Sequence, residues 1–283
     1  QDYETIIGKI MEGKAHELSE GDTTYLGACR KGQKGDHEKK YHLPNGLEAE
    51  MTAPKRAFSF KPQYMRTILE FAEKSGGQGT CNTSEFVAGY GPQLVTQEEL
   101  VQKTFEEILL ERFIPFYGKS YSEICQMIGM NETNAKHKYA MASNAIITEN
   151  KKRGKDANKA DEFIKSGIRL KTFRISKDNY PEEALSFENI DYLEIVKEDN
   201  WFDSRLYELF TSRFLFAVFK EHIENAISVF RLERCFFWTM PQKDLEAAEE
   251  YWTDIKKHVL RDEIDPKYFY KECDGKKFHV RPK

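Results

Sequence analysis

Apolar residues recur along the chain at two spacings, and each spacing predicts a kind of element. Ile6, Ile7 and Ile10 share one side of a short helix over residues 3–11. Residues 15–28 read as a hairpin turning at 19–22, and residues 56–61 alternate as a strand. Tyr64, Ile68, Leu69 and Phe71 then return to helical spacing. Thr96 with Glu99, and Ser120 with Glu123, are capping boxes; one opens a helix carrying Val101, Phe105, Ile108 and Leu109, the other a helix through Ile128. A further helix covers 135–147. Strands are expected over 163–176, 192–196, 213–219 and 227–238, then a helix from Pro241 with Leu245, Ala248, Trp252, Ile255 and Val259 on one face. A hairpin around Asp274-Gly275 ends the chain. The class is α/β, a mixed sheet flanked by helices.

Residues 75–92 interrupt this pattern with five glycines, Gly76, Gly77, Gly79, Gly89 and Gly91, and end on a proline. They read as a linker, taken as 76–95. The stretch 3–9 matches 251–257 at a tyrosine, a threonine, an isoleucine and a lysine. Each is followed by a spacer, a turn with Gly-Asp or Asp-Gly, and a basic end: Arg30-Lys31 in one case, Arg281-Pro282-Lys283 in the other. The matching order predicts a repeat: residues 1–75 as the tail of one copy of a domain, and 96–283 as most of a second. Gln1 enters mid-pattern, so the chain is expected to be a fragment of a longer protein.

Composition narrows the function classes. The chain has 283 residues, 40% of them hydrophobic and 13% aromatic, enough for a sizeable core. Its net charge of −4 lacks the footprint of a strongly basic nucleic-acid binder, so a nucleic-acid surface must be a local patch. No apolar run approaches the roughly 18 residues of a membrane span, and no signal peptide is present. Cys29, Cys81, Cys125, Cys235 and Cys273 show no C-x-x-C, which reads as reduced, cytoplasmic and without a zinc site. His16, His37 and His42 lack ligand spacing and read as ordinary surface or packing residues. The aromatic run 214–219 reads as a buried strand, and Trp201 with Phe202 as a lid rather than a wedge.

Residues 161–171 carry the most chemistry. Metal-dependent nucleases place an acid at the start of a strand and Glu-x-Lys further along; two carboxylates hold a hard divalent cation, and the cation activates a water. Here Glu162 stands at the first acidic position and Lys171 at the lysine, but Arg169 occupies the place of the second carboxylate. On a strand Arg169 and Lys171 point the same way. Two cations there would repel a metal and suit a phosphate; otherwise they form the solvated basic face of an edge strand.

The order of these pieces resembles the MutH family of GATC-specific endonucleases. The pieces are 121–129, Lys136-His137-Lys138, Glu162 to Lys171-Thr172, 213–219, 236–238 and 278–283. Among that family the chain is most similar to the type II restriction endonucleases that carry two MutH-like copies. The resemblance covers about 100–283 as one copy and 1–75 as the end of the preceding one. It implies a restriction-endonuclease-like fold and arms that embrace DNA. Carried over residue by residue, the family's metal acids fall on Glu162 and Arg169, its helix glutamate near Ala145, and a further lysine near Ser212; Lys171 alone matches cleanly. Its base-contacting Arg-Pro pair falls on Arg281 and Pro282, beside Lys283, and its early basic helix residue on His137 or Lys138. Arg30, Lys31 and Ser59 are the corresponding DNA candidates at the end of the preceding copy. Lys151, Lys152, Arg153, Lys155 and Lys159 form a basic loop that reads either as a solvated loop or as phosphate contacts.

The expectation is therefore a DNA-binding, catalytically silent effector domain of a GATC-specific restriction endonuclease. It holds no cofactor itself, whereas the parent enzyme uses magnesium. Its partners are GATC-containing duplex DNA, the preceding catalytic copy, and a second molecule on DNA; no membrane is involved. Two alternatives stay open. One is a working nuclease whose metal site is rebuilt from Asp161, Glu162, Glu194 or Asp203; the other is a dimerisation or docking module without DNA.

Overall fold

The computed structural model describes residues 2–31, 38–74, 94–150, 156–187, 189–271 and 274–278. It is a mixed α/β protein that divides into two compact units, each assembled from separate stretches of chain. One unit takes 1–62, 187–212 and 239–283; the other takes 63–186 and 213–238.

The second unit is built on a sheet of β5 (Ile168–Ile175), β6 (Arg213–Glu224) and β7 (Ile227–Trp238) in that order. β5 runs parallel to β6, with Lys171 opposite Phe216, and β6 runs antiparallel to β7. The β6–β7 hairpin closes on Asn225 and Ala226, both at positive φ (49° and 63°), the backbone that a two-residue turn between twisted strands requires. One face of the sheet supplies Leu170, Leu215, Ala217, Phe219, Leu232 and Cys235 to the core. Against them pack α4 (Phe105–Phe113), α5 (Tyr121–Ile128), α6 (Lys138–Ile147) and α7 (Asp161–Ser166), through Leu109, Phe113, Ile124, Ile146 and Phe163. Each fully buried Phe or Leu contributes about 1.5–3 kcal/mol of transfer free energy. On the opposite face Phe214, Phe216, Phe236 and Trp238 form an aromatic row with ring centroids 5.7–6.0 Å apart.

Helix starts follow the local signals. Ser120 caps α5 and Thr96 caps α3 (Gln97–Gln102), each with a reciprocal glutamate. A third box, Thr104 with Glu107, opens α4 and splits the single helix expected there. Gly129 ends α5 at φ 67°.

In the first unit α1 (Asp2–Met11) packs Ile6 against Leu18 and Ala28. β1 (Leu26–Arg30) pairs antiparallel with β4 (Arg56–Phe60), while β2 (Glu38–Lys39) pairs with β3 (Ala53–Pro54). Asp2 accepts the N–H groups of Thr24, Tyr25 and Leu26 at 2.7–2.9 Å. Burial pushes the Asp2 carboxyl up, but these bonds and Lys61 outweigh it and hold the group below its usual range. α10 (Gln242–Leu260) buries Leu245, Ala248, Trp252 and Ile255, as its spacing predicts. α8 (Tyr192–Ile195) and α9 (Arg205–Phe210) of this unit are short, and α2 (Pro62–Lys74), which belongs to the other unit from Gln63 on, is half-exposed.

Three local expectations give way. Residues 15–28 are not a hairpin: the stretches Ala15–Glu17 and Glu20–Asp22 are single 3-10 turns, the second capped by Ser19, and β1 finds its partner about 30 residues later. Residues 192–196 form helix rather than strand, because Asp191 accepts the N–H groups of Leu193 and Glu194. Residues 161–166 are helix, and the strand begins only after Gly167 (φ 65°). Of the C-terminal hairpin, residues 272, 273 and 279–281 lie outside the described residues, and Pro266–Tyr268 form a 3-10 turn. Trp201 is buried against Trp252 and Tyr207, whereas Phe202 is half-exposed.

Arg231 on β7 ties the sheet to the start of α5. It donates to Glu224 at 2.6 Å and to Glu123 at 2.7 Å. Glu123 is held at about 2, first by the Ser120 N–H and hydroxyl and then by Arg231. A carboxyl held down in the folded state stabilises above its ordinary 4.5 and loses that contribution as pH falls toward about 2. Glu123→Gln should therefore lower the urea midpoint at neutral pH, and should lose less of it than the parent chain between pH 4.5 and 2. Parallel pH profiles would show that the pair is idle.

Candidate functional site

Of the residues singled out by the sequence, Arg169 and Lys171 lie on β5, and His137 joins Lys171 at one cleft. Gly167 ends α7 and turns the chain into β5, so Glu162 sits on a helix, five residues before that glycine. Its Oε1 accepts the Leu94 N–H at 2.6 Å. Arg112 binds the Leu94 carbonyl from the other side, and its second nitrogen donates to the Ile147 carbonyl at 2.8 Å. Glu162 thus anchors the main chain at the entry to the helical layer. Asp161 lies 3.9 Å from Lys165 on the same helix.

Strand alternation sends Leu170 into the core and leaves Arg169 and Lys171 on the half-buried face. Lys171 lines an open cleft of about 480 Å³ together with His137, Met141, Asn144, Asp156, Asn158, Thr172, Glu183 and Leu185. Arg169 is not part of this lining. The Lys171 Nζ donates to the Ser186 carbonyl at 3.1 Å. His137 stands at the start of α6 without a side-chain cap bond, and Lys138 turns away over the rings of Tyr121 and Tyr139 at 5.2 and 5.3 Å. Ala145 faces the core, not the cleft. Ser212 is buried in the other unit, its hydroxyl donating to the Glu208 carbonyl at 3.0 Å. Glu194 and Asp203 also belong to that other unit, where Asp203 accepts from Asn200.

The cleft's carboxylates already have work. Asp156 accepts the Asn158 N–H at 3.1 Å, and Glu183 lies 3.7 Å from Arg174. The Arg174 guanidinium itself covers the Tyr139 and Phe230 rings. Among the described residues no three His, Cys, Asp or Glu side chains gather as a ligand set. Magnesium takes near-octahedral oxygen donors, one or two of them carboxylates and the rest waters or substrate phosphates. With Glu162 bound to Leu94 and Arg169 in the second acid's place, the donors here do not fit it.

Of the DNA candidates in the first unit, Arg30 forms the end of β1 opposite Arg56, and Lys31 is exposed, its N–H bonded to the Lys55 carbonyl at 2.8 Å. Ser59 faces Gly27 across the β1–β4 pair, where any side chain in place of the glycine would strike Glu20 and the Ser59 hydroxyl. Lys151, Lys152, Arg153 and Lys155, and Arg281, Pro282 and Lys283, lie outside the described residues. Lys159 ends a 3-10 turn and is exposed. The described cysteines Cys29, Cys125 and Cys235 are free thiols, and burial pushes Cys235 up to about 12. Among the described residues no helix is long and apolar enough to cross a membrane.

Sequence reasoning missed Asn158, whose role depends on a strand twelve residues away. Its Oδ1 accepts the Leu170 N–H at 2.7 Å and its Nδ2 donates to the Leu170 carbonyl at 3.3 Å. It therefore closes the outer edge of β5 as a neighbouring strand would. Asn158→Ala should cost roughly 1–2 kcal/mol, two bonds at about 0.5–1.5 kcal/mol each, reduced by water access. Asn158→Asp keeps the acceptor, loses the donor, and should fall between. Urea unfolding curves measure both; a wild-type midpoint for the alanine variant would rule the clamp out.

No protein-family model matches the chain. The chain is similar to the "Type II restriction enzyme Sau3AI" of Staphylococcus aureus, with 32% identity over 271 residues, or 92% of this chain. It spans about half of that enzyme's length, 51%. The likeness first read from the Glu162–Lys171 stretch and its neighbours thus runs along nearly the whole chain, which is a relative of a type II restriction enzyme.

Proposed function

We propose that the chain is a DNA-binding, catalytically silent module of a type II restriction system, reading GATC and acting on a catalytic partner copy. The relative's printed function supports DNA as the ligand. The observation that carries the silent half of this reading is the Glu162–Leu94 hydrogen bond beside a strand whose second acid is Arg169. A first metal ligand spent on the main chain, and a second replaced by a guanidinium, leave nothing to activate water. In this reading the fold is the restriction-endonuclease-like, MutH-like arrangement. Residues 1–75 end one copy, 96–283 form the next, and coupling between two sites is reciprocal in free energy.

The test compares GATC and scrambled duplexes by gel shift in EDTA, then incubates the complex with magnesium. Preferential binding of GATC without cleavage is expected. Site-dependent cleavage that survives repurification would overturn the silent assignment, and equal, salt-insensitive retention of both duplexes would overturn the DNA assignment. Within the same assay Arg281→Ala should cut the GATC-to-scrambled ratio about five- to 150-fold, the value of one bidentate guanine contact of about 1–3 kcal/mol. Equal weakening of both duplexes would instead make Arg281 a backbone contact. Charge reversal across Lys151, Lys152, Arg153 and Lys155 should weaken both duplexes alike and flatten the salt dependence.

A further inference from the structure

We propose that the cleft beside β5 takes a single nucleobase, held along its donor–acceptor edge by the main-chain N–H and C=O of Thr172. The starting point is the accounting of main-chain groups on an edge strand. Among the described residues β5 pairs with β6 on one side only, so alternate residues point their N–H and C=O outward. Leu170 is one of these, and both its groups are closed by Asn158. Arg174 is another, and its carbonyl accepts the Glu182 N–H at 3.0 Å, next to a bridge between Ile175 and Pro181. Thr172 lies midway, so its N–H and C=O point the same way, into the cleft that it lines. No bond to either group is formed among the described residues. The Thr172 Oγ1 is likewise buried without a partner. Buried polar groups left in this state are uncommon and call for a ligand or water.

Three features choose the ligand class. First, the opening is short. Adding a peptide strand needs outward groups at successive alternate residues, and both groups of Leu170 and the carbonyl of Arg174 are already bonded. A planar heterocycle with a donor beside an acceptor needs only one such residue. Second, the charges oppose one another. Lys171 and His137 share the cleft with Asp156 and Glu183, which favours a neutral polar ring over a bare phosphate. Third, the walls are partly apolar: Met141 and Leu185 are 37% and 38% exposed there, surfaces able to cover a ring face. The cleft's volume of about 480 Å³ lies within the roughly 300–1,000 Å³ of small-ligand sites.

The base can come from a free nucleoside or from DNA, where enzymes read extruded bases along the Watson–Crick edge. This inference concerns the unit that the proposed function assigns to DNA, but it is tested separately. The full chain is titrated with adenosine, cytidine, guanosine and inorganic phosphate by calorimetry. It is also mixed with a GATC duplex carrying 2-aminopurine for adenine, whose fluorescence rises when the base leaves the stack. Thr172→Pro removes the outward N–H, at an edge position where proline is tolerated, and Thr172→Val removes only the hydroxyl. Fluorescence that rises on binding and falls back in Thr172→Pro supports a DNA-borne base. Nucleoside binding that weakens about tenfold in either variant supports a free one. If Thr172→Pro fails to fold, the valine variant and competition by nucleoside decide. Binding indifferent to both variants, no response in either arm, or inorganic phosphate displacing the nucleoside would overturn the inference. Failure of the duplex to bind would remove the proposed function, and the nucleoside titration would still decide this one.

Discussion

The pairing of β5 with β6 on one side, and the lack of a strand on the other among the described residues, sets the terms for the rest of the second unit. A strand at the edge of a sheet exposes a ladder of donors and acceptors that must be bonded, covered or used. The inner side is secured by parallel pairing with β6, whose Leu215, Ala217 and Phe219 sit in the core. The outer side is secured piecemeal, by the Asn158 side chain at Leu170 and by the returning chain at Arg174. The cleft is what remains between the two patches.

That arrangement also explains what became of the acidic positions. Each carboxylate near β5 has been turned to a structural purpose: Glu162 to the Leu94 main chain, Asp156 to the turn that presents Asn158, Glu183 to the Arg174 guanidinium. Side chains with defined partners hold a cleft in shape, and a shaped cleft binds with less ordering cost than a loose one. The same commitments take from a divalent cation the flexible oxygen donors that it needs.

How much of this could be read from the sequence depends on how far apart the interacting groups lie. Ser120 with Glu123 and Thr96 with Glu99 are three residues apart, and both helices begin where they say. The apolar face of α10 and the twin strands β6 and β7 were equally legible, because burial imposes its period directly. The 15–28 stretch misled because its strand pairs with Arg56–Phe60, and nothing local records that choice. Glu162 was placed by count from Lys171, yet Gly167 inserts a helix end between them and changes its direction. Asp156, Asn158, Thr172 and Glu183 carry no motif at all; only the fold brings them together.

The claim most open to direct test is that this cleft is not a metal centre. Manganese, which occupies magnesium sites and is followed by electron paramagnetic resonance, can be titrated into the chain with and without GATC duplex. The account predicts no saturable site in either titration beyond weak binding that Asp156→Asn leaves unchanged. A one-to-one site that appears with duplex and is lost in Asp156→Asn would contradict it.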